Sequence, residues 1–269
     1  MGRSVCLILA IALGSSGTRA ASPTPVIVEL FTSEGCSDCP PADTLLENLI
    51  ATQPITGALI IGLGQHVDYW DRLGWKDRFS SAALTSRQRQ YQTRFGTESI
   101  YTPQMVVDGR AEFVGSDAGA ARKAIEKTLT ASHGEITIVT STGVGAELAP
   151  PERADQGRPL RVDVLANSVA PISRGDRADI VLMIAESGLR TEVKRGENHG
   201  RTLSHAPVVR YMATVGQIGE GATTGAARAD LALAPDWQRD HLTIVAFVQE
   251  TRGRAILAAA SAPLKKARP

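Results

Sequence analysis

The sequence predicts an α/β domain of order β-α-β-α-β-β-α over residues 21–134, followed by an all-β, sandwich-like domain over residues 135–269. Three observations predict this. An apolar run, Val26-Ile27-Val28-Glu29-Leu30-Phe31, leads into a helical pattern that opens at Pro40-Pro41. A second run, Ala58-Leu59-Ile60-Ile61-Gly62-Leu63, follows that helix with the near-continuous apolarity of a parallel strand buried on both faces. From Glu135 onward, helical periodicity gives way to short alternating segments set between Gly, Pro and Asp-rich turns.

The elements follow in order. Leu45, Leu46, Leu49 and Ile50 recur at helical spacing, and the two prolines are acceptable there because the first turn needs no N–H donors. With the strands on either side, this helix makes a βαβ unit, whose crossover is right-handed. His66 to Trp75 is polar and aromatic with no period. Ser80 or Ser81 then caps a second helix, with Leu84, Tyr91 and Phe95 on its buried face and Gly96 at its end. Tyr101-Thr102-Pro103 leads into Met105-Val106-Val107, and Asp108-Gly109 turns the chain into Ala111-Glu112-Phe113-Val114, a strong hairpin signal. Ser116 or Asp117 caps a third helix running through Ile125 and Leu129 and closed around Gly134. Beyond it, strands are expected at Ile136–Val139, Leu160–Val164, Ile180–Ile184, Val208–Val215, Ala226–Leu233 and Leu242–Val248. Gly143 to Gly157, with Pro150-Pro151, reads as a long loop.

The chain has 269 residues, 43% of them hydrophobic, and a net charge of +1, so it can bury a full core. No basic stripe interleaved with aromatics is present, which argues against a nucleic-acid partner. Lys265 to Pro269 reads as a solvated tail. Residues 1–20 have the pattern of a signal peptide: Arg3, an apolar run from Val5 to Leu13, and the small-x-small site Thr18-Arg19-Ala20. That run is well short of the roughly 20 residues a bilayer requires. The expectation is a periplasmic or secreted protein with no membrane association after cleavage. Cys6 would leave with the signal, and only Cys36 and Cys39 would remain of the three cysteines.

Cys36-Ser37-Asp38-Cys39 sits where the first strand runs into the first helix. Unpaired N–H groups and the positive end of the helix dipole stabilise a thiolate there. Cys36 as attacking thiolate and Cys39 as resolving thiol make an exchange cycle that needs no cofactor. A structural disulfide is a second reading, although so small a ring constrains little of the unfolded chain. A cuprous-type metal site using Cys36, Cys39 and His66 is a third. His66, Asp68, Tyr69 and Trp70 follow the second parallel strand and therefore emerge at the sheet edge that presents Cys36, where ligand crevices form in such sheets. His66 is a candidate proton shuttle, and Trp70 with Trp75 a candidate lip for a partner. Alternatively the aromatics pack this insertion down and His66 satisfies a backbone carbonyl. The Gly-flanked segment Gly196 to His205 reads as a docking loop between the domains, with a binding site as the alternative. No Ser-His-Asp arrangement, phosphate loop or dinucleotide fingerprint is present.

The element order, the cysteine pair and Thr102-Pro103 before the third strand resemble the thioredoxin fold. More closely, Val28 to Asp43, His66 to Trp75, Tyr101-Thr102-Pro103-Gln104 and Gly196-Glu197-Asn198-His199-Gly200-Arg201-Thr202-Leu203 resemble the DUF1223 family of exported bacterial thioredoxin-like proteins. The resemblance implies a cis Thr102–Pro103 bond, with Pro103 beside the disulfide and the Thr102 backbone free to pair with an extended peptide, and Tyr69 and Trp70 at the same sheet edge complete the candidate substrate surface. The resemblance implies partners of two kinds: a protein thiol or disulfide client and a redox recycling partner. Thioredoxin itself has Gly-Pro between its cysteines where this chain has Ser37-Asp38. With Glu34 and Asp43 nearby, Cys36 is expected to be less acidic than the nucleophile of a strongly oxidising thiol oxidase. Exchange of this kind requires Cys36 to be accessible.

Overall fold

In the computed structural model, which describes residues 22–142 and 159–264, strands β1 (Thr24–Thr32) and β2 (Ala58–His66) pair in parallel across helix α1 (Pro40–Thr52). The expected signal peptide, the Gly143–Gly157 loop and the tail from Lys265 lie outside the described residues. Helix α2 (Ala82–Phe95) opens on the Ser81 side chain, which accepts from the Ala83 N–H, and closes on Gly96 in the left-handed region. Strands β3 (Gln104–Val107) and β4 (Ala111–Val114) form the expected hairpin. Asp108 and Gly109 both take positive φ, 47° and 62°, as a two-residue turn matched to strand twist requires. Helix α3 (Ala118–Thr128) is capped by Asp117, whose carboxylate accepts from the Ala120 N–H at 2.8 Å.

The third helix ends at Thr128, not around Gly134. Gly134 instead permits the close passage of two backbones, since a Cβ there would lie 2.6 Å from Val169 Cα.

After residue 134 the chain is strands, as its alternation suggests: β5 (Glu135–Thr142), β6 (Leu160–Asn167), β7 (Ala178–Glu186), β8 (Arg190–Glu192), β9 (Thr202–Ser204), β10 (Val208–Ile218), β11 (Gly225–Leu231), β12 (Leu242–Glu250) and β13 (Ile256–Pro263). Strands β8 and β9 are too short to alternate visibly. In β13, small alanines blunt the pattern.

The change of texture at residue 135 is a change of element type and not a break in the sheet. One eight-stranded sheet runs β13-β12-β7-β10-β2-β1-β3-β4, so strands from both halves of the sequence share it. The junction is narrow: Val208 of β10 registers with Gly64 of β2, and the Gly64 N–H donates to Pro207 O at 2.7 Å. The sheet also curls, bringing Ile256 of β13 to the β3–β4 turn, where its N–H donates to Asp108 O at 2.9 Å. A separate three-stranded sheet, β11-β6-β5, packs on β7, β12 and β13 through Val162, Val164, Ile180, Leu182, Ile244, Ala246 and Leu257. Helices α1 and α3 cover one face of β1–β3 through Leu46, Leu49, Ala121 and Ile125. Leu84 of α2 joins Ile27, Leu63, Met183, Val245 and Phe247, alternate residues of the strands and so the opposite face. The molecule is thus mixed α/β, mostly sheet with few helices. Among the described residues no helix is long and apolar enough to cross a membrane.

A buried polar network ties the halves together. Glu29 of β1, fully buried, accepts from Arg87 Nη2 (2.9 Å) and Nε (2.5 Å), from Tyr91 Oη (2.5 Å) and from the Gln65 amide. Gln249 of β12 accepts from Arg87 Nη1 at 3.0 Å and donates to Tyr91 Oη at 2.9 Å. Burial alone would raise the Glu29 pKa, but the Arg87 guanidinium and the other donors outweigh it and hold the carboxyl below its ordinary range.

Candidate functional site

Cys36 and Cys39 form a disulfide with Cα atoms 5.4 Å apart. Cys39 is the N-cap of α1, and its carbonyl accepts from the Ala42 and Asp43 N–H groups. Cys36 stands in the turn before the helix and not on its first turn, its N–H donating to Ser33 O at 3.2 Å. Prolines at the helix start and the strand-to-helix bend fix both positions locally.

The expected accessibility of Cys36 is not met. Both cysteines are 1% exposed. What covers them comes from the other half of the sequence: residues 193–201, the tip of the β8–β9 hairpin, lie on the disulfide turn. Asn198, fully buried, donates from Nδ2 to Glu34 O and Cys36 O, both at 2.9 Å, while Arg201 Nη1 donates to its Oδ1 at 2.8 Å. Glu197 Oε2 accepts from the Ser37 N–H at 3.1 Å. Gly196, at φ 76°, packs its backbone against Trp75. The segment that reads as a docking loop therefore docks on the cysteine motif itself.

The aromatic stretch after β2 packs down around the same turn. Trp70 lies against Gly35 and donates from Nε1 to Thr102 Oγ1 at 2.8 Å, and Trp75 donates to Glu34 Oε2 at 2.6 Å. The Tyr69 hydroxyl, pushed up to about 12 by burial, faces Thr102 and Gln88. Thr102, Tyr69 and Trp70 are thus brought together, with their polar atoms turned inward. The Thr102–Pro103 bond is cis. Pro103 and Ala42, on the first turn of α1, both lie against Gly115, where a Cβ would meet them at 3.0 and 3.1 Å.

Behind Cys39 the surroundings are polar. A cavity of about 10 Å³, room for a single water, is lined by Thr32, Ser33, Glu34, Cys39, Pro40, Asp43, Leu203, Ser204 and His205. His66 does not line it. Its Nδ1 is 2.6 Å from Asp77 Oδ2, so its partner is a carboxylate and not a backbone carbonyl, and it reaches the cavity region through Asp43 and His205. Burial would lower the His66 pKa, but Asp77, then Asp43 and Glu34, outweigh it and raise it. Burial raises the Asp43 pKa, partly offset by His66 and by the Thr32 hydroxyl, which donates to Oδ2 at 2.7 Å. Asp77 also accepts from the Glu34 N–H at 2.9 Å, linking His66 to the disulfide turn.

Sequence reasoning gives Asp43 only an effect on the acidity of Cys36, Asn198 and His205 only membership of the docking loop, and Asp77 no role. Asp43 carries a signal, since four residues after Cys39 is one helical turn on the same face. His205 and Asn198 lie in a segment marked by its composition, but only the tertiary structure says where that segment lands. Asp77 carries none. The converging metal-type ligands among the described residues are Asp43, His66 and His205, a set without either cysteine, unlike the expected Cys36, Cys39 and His66.

Two solved structures are similar in fold. Protein AGR_C_4864 from Agrobacterium tumefaciens matches with a TM-score of 0.67 and 23% identity, over 93% of this chain and 99% of that one. HBP35 of Porphyromonas gingivalis matches with a TM-score of 0.60 and 13% identity, over 93% of this chain and 78% of that one. No curated protein matches the chain. The family model DUF1223, described as a protein of unknown function, matches residues 27–249, from the first strand through the last residues that complete the Glu29 network, and the chain belongs to that family.

Proposed function

We propose that this protein is an exported thiol–disulfide oxidoreductase with a thioredoxin-like fold, whose Cys36–Cys39 disulfide is closed by the 193–201 hairpin tip in the resting state. The observation that carries this reading is the polar pocket behind Cys39. A disulfide that serves only as a staple gains nothing from a buried aspartate, glutamate and histidine around a water-sized cavity, and burying them is costly. The fold reading is supported by the strand order β2-β1-β3-β4, by α1 and α3 on one face with α2 on the other, and by the cis proline before β3. The envelope location rests on the composition of residues 1–20.

In the reduced protein, the Cys36 thiolate attacks a client disulfide, forming a mixed disulfide and releasing one client thiolate. Cys39 gives its proton to Asp43 through the cavity and attacks Cys36 Sγ. The Cys36–Cys39 bond forms, and the second client thiolate leaves. The client gains two electrons and the protein loses two; the reverse sequence oxidises a client dithiol. Asp43, held above the ordinary carboxylate range by burial, is suited to hold and return a proton, and His66 with Asp77 sets the charge around it. Thr102, Tyr69 and Trp70 form the client surface once the tip opens.

The sealing of both sulfurs favours one second reading, a structural disulfide that shapes the turn on which Asn198 docks. Equilibration with glutathione redox buffers separates the two. An exchange disulfide is expected to have a potential more oxidising than roughly −270 mV, and a value below about −300 mV is that of a structural bond and would overturn the proposal.

A further inference from the structure

We infer that Asp43, His66 and His205 form a binding site for one divalent transition ion of the zinc type, beside the polar cavity behind Cys39. One ligand atom from each lies within 4.8 Å of the others, and the residues are 5%, 1% and 3% exposed. Around a tetrahedral ion with bonds of about 2.1 Å, ligand atoms stand about 3.4 Å apart, a contraction within reach of side-chain rotation.

The bonds that His66 and Asp43 already make leave a ligand position free on each, while His205 Nε2 lies 3.3 Å from both the Thr191 hydroxyl and Glu34 Oε1. His66 Nδ1 is engaged by Asp77 and its Nε2 has no partner. An imidazole whose Nδ1–H is held by a carboxylate presents its Nε2 lone pair, which is how metal-ligating histidines are oriented. Asp43 spends Oδ2 on the Thr32 hydroxyl, and its Oδ1 has no partner in hydrogen-bond geometry, although the Ala206 N–H lies close by. Glu34 Oε1, buried and without a hydrogen bond, stands 3.3 Å from His205 Nε2, beside the three ligands, and is placed to anchor a metal-bound water. Two orphaned polar atoms, His66 Nε2 and Asp43 Oδ1, on members of one buried set are unusual, and a cation satisfies both at once. Two imidazoles with a carboxylate select a transition ion over magnesium or calcium.

This site uses no cysteine and does not rest on disulfide exchange, which is assayed separately in the presence of a chelator. The test uses the mature chain with its disulfide intact, stripped with EDTA and titrated with Zn²⁺ against a chromophoric competitor. The expected result is one zinc per chain. H66Q and H205Q each weaken binding by 100-fold or more, D77N by roughly 10- to 100-fold through loss of the orienting carboxylate, and the double variant C36S/C39S keeps the stoichiometry. Cobalt substitution in the unmutated protein gives a check independent of variant folding, with d–d bands and no sulfur-to-cobalt charge-transfer band expected. Failure of the oxidised chain to bind one equivalent would overturn the inference. So would binding indifferent to both histidine variants, or a sulfur charge-transfer band.

Discussion

Replacing Arg87 with methionine is expected to destabilise the protein by about 3–5 kcal/mol at pH 7, because it leaves the Glu29 carboxylate buried without its counter-charge. Glu29 is fully buried, and Arg87 is the donor that offsets its burial. The loss should depend on pH in a definite direction. In the native protein the Glu29 pKa lies below its ordinary value of 4.5, so the network's contribution is present above that value and is lost as pH falls through the lowered one. In R87M, only the Tyr91 and Gln65 hydrogen bonds still oppose burial, which pushes the carboxyl up, so the penalty is largest at neutral pH and is relieved on acidification. Urea denaturation of both proteins at pH 7 and pH 4 should show the gap narrowing at the lower pH. The double variant E29Q/R87M should recover much of the loss at pH 7. A gap independent of pH would mean that Arg87 acts through packing against Tyr91 and Phe247 and not through charge.

The second large effect is kinetic. Asn198→Ala should let dithiothreitol reduce the Cys36–Cys39 disulfide about thirtyfold faster in the folded protein. The Asn198 amide satisfies Glu34 O, which otherwise lies buried under the hairpin tip, and adds a second donor to Cys36 O, which also accepts from the Cys39 N–H. An unsatisfied buried acceptor costs about 1–3 kcal/mol. Removing the amide therefore shifts the local opening of residues 193–201 by about 2 kcal/mol, and reduction through the open state quickens in proportion. Quenched time points resolved by thiol alkylation measure it. An unchanged rate would show that reductant reaches the sulfurs by a route that does not involve the tip.

These two expectations also mark what the sequence could and could not reveal. The strand-to-helix junction at Cys36–Cys39, the Asp108-Gly109 hairpin and the caps of α2 and α3 are local events, governed by periodicity, turn chemistry and the needs of helix ends, and all are legible. The alternation after residue 135 is legible as strands. It cannot tell that β7, β10, β12 and β13 continue the first sheet, because a strand's neighbour is chosen by long-range pairing and the junction at Gly64 is one residue wide. The same limit hides the site's cover. Asn198 looks like any polar loop residue until the β8–β9 hairpin carries it more than a hundred and sixty positions back along the chain to Cys36. Glu29 reads as one polar interruption of an apolar strand, yet it anchors a buried network whose partners come from α2, β2 and β12. His66 stands out for its position at the sheet edge, but the groups that face Cys39 are Asp43 and His205, reached by a helical turn and by a distant strand.

Trapping a mixed disulfide on Cys36 decides whether the cysteine pair exchanges with a client. Reduced Cys39→Ser protein is incubated under native conditions with glutathione disulfide and examined by mass spectrometry. One glutathione adduct, on Cys36, is expected, accumulating faster when Asn198→Ala is added. An unmodified Cys36 in both proteins, reacting only once denaturant is present, would contradict it and leave the cysteine pair as a structural bond.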